Sequence, residues 1–338
     1  MRELVDRLEQ KRLLSENEFL KLLENKETEY LFSRACAVRE RYYGKAVYLR
    51  GLIEFTNYCK NNCYYCGIRR DNKNAVRYRL ERAQILDVCR SGYEIGFRTF
   101  VLQGGEDPYF TDDKICEILA DIKSEISDCA ITLSIGEKKY QSYQKFRTSG
   151  ADRYLLRYET ASPAHYAKLH PQEMSFDRRI SCLYKLNQAG LQVGTGFMVG
   201  SPFQDLTSIV NDLKKLNDFK PQMVGIGPFI PHKDTPFASF ASGSPELTLV
   251  LIAVIRLMFP AALLPSTTAL GTLGSEYRVK GLLAGANVLM PNLTPPCNRE
   301  NYKIYDNKAY EPLEELAKQV ESAGYYIDIN NIGDSKIV

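Results

Sequence analysis

Three cysteines fall within eight residues of this chain. Cys59, Cys63 and Cys66 are spaced C-x3-C-x2-C in a polar segment running from Asn57 to Gly67. Thiolates are soft ligands that suit iron–sulfur clusters. A zinc site would want a fourth ligand close by, and no further Cys or His lies near this segment. Three thiolates can hold three irons of a cubane and leave the fourth iron open, which suits an enzyme better than an electron carrier. The plain alternative is three unrelated cysteines in a loop. Only 9 of 338 residues are Cys, so that spacing is hard to reach by chance.

Other residue types could serve the same chemistry. Gln103 is followed by Gly104, Gly105 and Glu106, where the glycines bare the backbone. Taken alone this is also an ordinary turn. Arg179 could grip a carboxylate with two hydrogen bonds, with Arg178 beside it as competitor. Arg50 and Arg157 occupy strand positions that could face inward. An unpaired buried arginine is costly, so they imply an anionic cargo or a carboxylate mate such as Glu159 or Glu54.

These residues need elements to position them. β-rich runs lie at 47–55, 99–103, 130–134, 153–158, 192–199, 223–229, 263–268 and 287–290. Amphipathic stretches at 82–95, 112–126, 138–148, 176–189, 205–218, 245–258 and 273–284 alternate with them. Eight strands alternating with helices predict an α/β fold, a parallel (β/α)8 barrel of the TIM type. A seven-strand open sheet would show the same periodicity. Ser15 with Glu18 predicts a capping box opening a helix at 16–24. The expected organisation is a helical extension at 1–45, a barrel at 46–310, and a C-terminal helix and strand at 311–338 that close it. Sites in such barrels gather at the C-terminal ends of the strands. The cysteine segment, Glu106 and Glu159 all fall there.

Composition narrows the setting. Apolar residues make up 44% and charged residues 25%, which is ordinary for a globular protein. A net charge of +3 gives no reason to expect nucleic acid or an anionic membrane as partner. The richest apolar stretch, 247–264, is interrupted by Arg256 and Pro260, so no membrane span is expected. The charged N-terminus reads as an amphipathic helix rather than a signal peptide. With mostly isolated cysteines, that predicts a reducing, cytoplasmic location. Cys89, Cys116 and Cys182 fall on expected helices and read as small core residues.

The cysteine spacing, with aromatic Tyr65 before the last Cys, resembles the signature of the radical S-adenosylmethionine (SAM) superfamily. The resemblance implies one 4Fe–4S cluster on Cys59, Cys63 and Cys66. SAM would chelate the fourth iron through its amino and carboxylate groups and be cleaved reductively to methionine and a 5′-deoxyadenosyl radical. It assigns Gly104, Gly105 and Glu106 to the SAM amino group and Arg179 to the SAM carboxylate. Glu159 and Ser134 become candidates for the ribose or amino group. The segment from Met198 to Pro202 would face the adenine.

Longer matches narrow the resemblance. They include the segments 55–59, 63–70, 100–107, 132–137, 194–202, 224–232 and 285–292. Together they are similar to FeFe-hydrogenase maturases of the HydE type, relatives of biotin synthase and methylornithine synthase. That likeness implies work on the diiron subcluster of the hydrogenase, on a cysteine-bound iron carbonyl cyanide precursor. By matching motifs, Arg157, Met223, Thr267, Thr268 and Tyr302 would line the substrate cavity, and Tyr305 would help close its mouth. Expected partners are that small organometallic substrate, other hydrogenase maturases and a reductant protein such as ferredoxin or flavodoxin. A carbon-skeleton mutase like methylornithine synthase is the competing enzyme reading. A cluster carrier without SAM chemistry is the competing reading of another class, and a carrier has no use for Glu106 or Arg179.

Overall fold

The computed structural model of the chain describes residues 1–329 and 331–336. Ile337 and Val338, the end of the expected 311–338 unit, lie outside them. Parallel strands run Gly51–Thr56, Thr99–Gly104, Ala130–Ser134, Arg153–Leu155, Gln192–Thr195 and Met223–Val224, each paired to the next. Single parallel bridges continue the wall from Met223 to Leu263 and from Pro265 to Val288. The strand Val288–Leu289 then pairs with Ala46–Leu49, and Asn292 bridges Leu52. The sheet thereby closes on itself as an eight-strand barrel, which excludes the open sheet.

Side chains alternate as a closed sheet demands. Ile53, Phe55, Phe100, Leu102, Ile131 and Leu133 join the large core between wall and helices. The intervening Glu54, Gln103, Thr132 and Ser134 face the lumen. Helices Arg82–Glu94, Asp112–Glu125, Tyr140–Thr148, Phe176–Gln188, Leu206–Phe219, Pro245–Met258 and Ser275–Leu283 cover the outside, close to the expected stretches.

The N-terminal extension forms three helices, Arg2–Lys11, Glu16–Glu24 and Glu29–Tyr43. The second opens on the expected capping box at Ser15 and Glu18. The first and third pack on Pro245–Met258, the second on Leu206–Phe219. This explains the apolar stretch at 247–264. Every residue from Thr248 to Met258 is buried, because the extension covers the side that would otherwise face water. Among the described residues no helix is long and apolar enough to cross a membrane.

Three expectations need correction. The 47–55 run is broken at Arg50, and Arg50 does not serve a cargo site. It lies below the first wall residues, at the end of the barrel opposite the cysteines. There it donates to Thr99 Oγ1 at 3.1 Å and to the carbonyls of Ile332 and Gly333. Arg153 joins it, reaching Thr99 Oγ1 at 3.3 Å and the Asp334 carboxylate. The C-terminal tail thus seals the barrel floor, while the strand Tyr326–Asp328 pairs with the lower first strand. The runs at 192–199 and 223–229 are each broken, at Gly196 and Gly225. There the backbones approach so closely that a Cβ on Gly196 would sit 2.2 Å from the Gly225 carbonyl oxygen. Thr267 and Thr268 are not on a strand. Thr267 caps the short helix Thr268–Leu273 by accepting from the Leu270 amide.

Candidate active site

The cysteine segment leaves the top of Gly51–Thr56 and returns at Arg79, which bridges back to Thr56. It has no regular structure, so its carbonyls need other donors. Arg77 supplies them, donating to the carbonyls of Asn57, Ile68, Arg69 and Asn72. Asn57 staples the two ends together, accepting from the Tyr78 amide at 2.8 Å and donating to the Val76 carbonyl at 2.7 Å. Gly105 packs under the loop. A Cβ there would lie 2.2 Å from the Tyr58 carbonyl oxygen and 2.7 Å from the Cys59 Cβ.

Burial pushes all three thiols up, Cys66 to about 12; Cys63 is raised further by both other cysteines and Cys66 by Cys59. Left alone they are neutral thiols; ligation to a cationic centre is what would make them thiolates. Among the described residues no three His, Cys, Asp or Glu groups gather to hold a single ion. A cubane presents three separate irons, so its ligands need not converge on one point. The donor set fits a cluster.

Beside the thiols sits a charged nest. Glu106 follows Gly104 and Gly105 at the end of the strand Thr99–Gly104, its amide directed at Cys59 Sγ at 3.3 Å. Its carboxylate takes the Glu137 amide at 3.0 Å and pairs with Lys60 at 3.2 Å. Gly136, at φ 75°, makes room, since a Cβ there would overlap the Glu106 side chain. Arg179 projects from the first turn of Phe176–Gln188, which Ser175 caps. Burial works against the Arg179 charge, but Glu137, Tyr166, Glu106 and Tyr65 outweigh it and hold its pKa well above the ordinary value. Arg178 is 55% exposed and turned to the other Glu137 oxygen at 2.7 Å. Of the two arginines, only Arg179 faces the thiols.

Glu159 ends the wall after Arg153–Leu155 at φ 68°, a left-handed backbone that a bulky side chain rarely adopts. Its amide and carbonyl are both tied, to the Gly196 carbonyl and the Met198 amide, which fix the strained turn. Arg157 Nη2 lies 2.8 Å from Glu159 Oε2, so the carboxylate-mate reading of Arg157 matches the contact found. Ser134 ends its own strand level with Gln103. Met198 is buried with Leu169, Phe229 and Phe237 against Tyr64 and Tyr65. Tyr65 reaches the buried His170, its hydroxyl 3.1 Å from Nε2.

The expected cavity residues are spread over more depth. Met223 sits level with Leu155 through Gly194, two residues below Arg157 on its strand. Thr267 lies against Gly227, 3.0 Å from where a Cβ would be. Tyr302 is buried on a strap at 299–310, its hydroxyl 3.3 Å from Gln103 Nε2. That strap crosses the mouth. Gly67 donates to the Ile304 carbonyl at 2.8 Å, and Asn57 to the Asn301 carbonyl at 2.8 Å. A cleft of about 780 Å³ opens between strap and cysteine segment.

Eight buried polar side-chain atoms lack a hydrogen bond among the described residues, and five of them belong to this end of the barrel. They are Glu137 Oε1, Tyr166 OH, Arg179 Nε, Arg157 Nε and Glu159 Oε2. Glu137 Oε1 and Arg179 Nε are 2.9 Å apart, yet not aligned as a hydrogen bond. Such a concentration of buried polar atoms without aligned hydrogen bonds fits a polar ligand like SAM. Three contributors escaped the sequence reading. Tyr166 and His170 come with an unforeseen helix, Pro163–Leu169, whose only signal was Ser162 before Pro163. Lys308 comes from the loose segment after Pro291, where periodicity offers nothing.

Comparison with known proteins agrees with this geometry. Residues 53–216 match the model of the radical SAM superfamily. The chain is 44% identical over 309 residues to the FeFe hydrogenase maturase subunit HydE of Thermotoga maritima, covering 91% of this chain and 88% of that one. It is 33% identical to the 3-methylornithine synthase of Methanosarcina barkeri, over 94% and 89% of the two chains. Among solved structures, methylornithine synthase (PylB) superimposes with a TM-score of 0.84 at 30% identity, covering 96% of this chain and 97% of that one. HydG, another FeFe-hydrogenase maturase, reaches 0.84 at 21% identity over 97% and 75%, a likeness of fold.

Proposed function

This chain belongs to the radical SAM superfamily, and from that premise we propose that it acts in FeFe-hydrogenase maturation on a small organometallic precursor. Its 44% identity to the Thermotoga maritima maturase supports the pathway. The single structural observation that carries the reading is that the buried polar atoms without an aligned hydrogen bond form two sets in one barrel. One set, around Arg179, lies beside the thiols. The other is Arg157 with Glu159, at the end of the wall after Arg153–Leu155.

When bound, the cluster and SAM supply one-electron reductive cleavage of SAM. Cys59, Cys63 and Cys66 would hold the cluster. Gly104, Gly105 and Glu106 would seat the SAM amino group, Arg179 its carboxylate, and Glu159 with Ser134 its ribose. Tyr65 and Met198 form the apolar wall against the cysteine loop. Arg157, paired with Glu159, would offer its remaining N–H donors to an anionic iron carbonyl cyanide precursor, and Met223, Thr267, Thr268 and Tyr302 would line the space around it. Tyr302, the buried residue of the strap, would help keep water out of that space, which strengthens each charge interaction inside. A ferredoxin or flavodoxin would deliver the electron, other maturases would deliver the precursor, and all would meet in the cytoplasm.

The 33% identity to a methylornithine synthase and the 0.84 superposition favour one rival, a carbon-skeleton mutase. Two assays separate them. Air-free reconstituted protein with dithionite and SAM should form methionine and 5′-deoxyadenosine. Apo-hydrogenase supplied with the other maturases should then gain activity only when this protein is added. No SAM cleavage sinks both readings. Cleavage with 3-methylornithine as product, and no hydrogenase activation, sinks the maturase reading alone.

A further inference from the structure

Tyr166 is 1% exposed, and its hydroxyl proton has no acceptor among the described residues. Its ring cannot swing to find one. It stacks on His170 with centroids 3.9 Å apart and planes at 23°, and meets Phe176 edge-on at 5.6 Å. His170 is locked in turn, with Nδ1 3.0 Å from the Tyr166 carbonyl and Nε2 on Tyr65. The phenol is therefore held in one place with its proton unspent. Burial pushes its pKa up to about 12 while Arg179 opposes, so the hydroxyl stays protonated and can donate.

Its surroundings define what it would donate to. Arg179, Glu137 and Cys63 all act on the hydroxyl. One unpartnered donor, Tyr166 OH, thus sits with the ion pair of Arg179 Nε and Glu137 Oε1, 2.9 Å apart but not aligned as a hydrogen bond, beside a candidate cluster ligand. Two donors and an acceptor complement the carboxylate and ammonium of an α-amino acid. We propose that Tyr166 is a binding residue for the carboxylate of the SAM methionine moiety, donating its hydroxyl proton to one oxygen while Arg179 holds the carboxylate from the side. This rests on the radical SAM reading of the site and adds to it a residue from the inserted helix.

The test is equilibrium binding to air-free, cluster-loaded protein. Two probes are compared: SAM, and 5′-methylthioadenosine, which keeps the adenosine and the sulfur but lacks the amino-acid tail. Tyr166→Phe should weaken SAM about tenfold, the loss of one hydrogen bond to a charged group, and leave methylthioadenosine unchanged. Its thermal midpoint should equal or exceed the parent's, because the substitution removes an unsatisfied buried hydroxyl. Unchanged SAM affinity, or equal weakening of both probes, overturns the proposal. Arg179→Lys keeps the two failures apart. If it weakens SAM while Tyr166→Phe does not, only the Tyr166 role is lost. If neither variant affects SAM, the reading of the whole nest as a SAM site is lost too.

Discussion

Lys308 reaches from the strap into the barrel and ion-pairs with Glu54 on the first strand, their side chains 10% and 0% exposed. Asn292 donates to the second Glu54 oxygen at 2.8 Å. Burial raises the Glu54 pKa and lowers that of Lys308, and each partner offsets the shift of the other. Lys308→Met strands a buried carboxylate and should cost about 3–5 kcal/mol of unfolding free energy. The double variant Glu54→Gln with Lys308→Met should recover much of that. Urea unfolding measures both, and a single variant as stable as the parent would mean the pair does not hold the strap.

The floor of the barrel offers a second test. Arg50 and Arg153 spend their donors on the tail, at Ile332, Gly333 and Asp334. Truncation after Asn331 leaves both guanidiniums without those acceptors, and should destabilise the protein by about 3 kcal/mol or more. Adding Arg50→Met to the truncated chain should restore part of the loss. Thermal unfolding of the three proteins decides it.

Arg178 and Arg179 are neighbours with opposite surroundings. Arg179→Ala should weaken SAM binding by about 10- to 100-fold, the range for a hydrogen-bonded charge pair. Arg178→Ala, whose side chain is 55% exposed, should change it less than about threefold. Equal effects from the two would contradict the orientation of the nest.

His170 makes stability depend on pH. Burial lowers its pKa to about 3, and the Arg179 charge adds to that against the pull of the Tyr166 carbonyl. Burial lowers His165 as well. The unfolded value is about 6.5, so between the two values the unfolded chain binds the extra proton. Stability is therefore full above that unfolded value and is lost as pH falls below it, by up to about 1.4 kcal/mol per unit for His170. His170→Asn should flatten the decline measured between pH 6 and pH 5. An unaltered slope would show that the imidazole is not held neutral.

Much of this was legible in the residues, for identifiable reasons. The barrel follows from a repeating period, and the helix Pro245–Met258 was placed to the residue by its Ser–Pro start and continuous apolar run. The thiols and Glu106 announce themselves by spacing. Tertiary causes hid the rest. Arg50 breaks a strand that reads as continuous, because the tail below it, rather than its neighbours, decides where it points. Gly196 and Gly225 break two more because their backbones touch, a contact no periodicity reports. Thr267 looks β-forming, but its hydroxyl is spent on capping a helix. Tyr166 and Lys308 sit in short or irregular segments, and acquire meaning only from partners such as Arg179 and Glu54 far along the chain.

The pairing of Tyr48 with Val288 has a further consequence for how the molecule is made. The wall joins its earliest strand to its latest, so on the ribosome a growing chain carries an unsatisfied sheet edge until Val288 and Leu289 have been made. The strap that donates its Ile304 carbonyl to Gly67 emerges later still. Through that interval the thiol-bearing loop stands without the cover that the strap gives it in the folded chain.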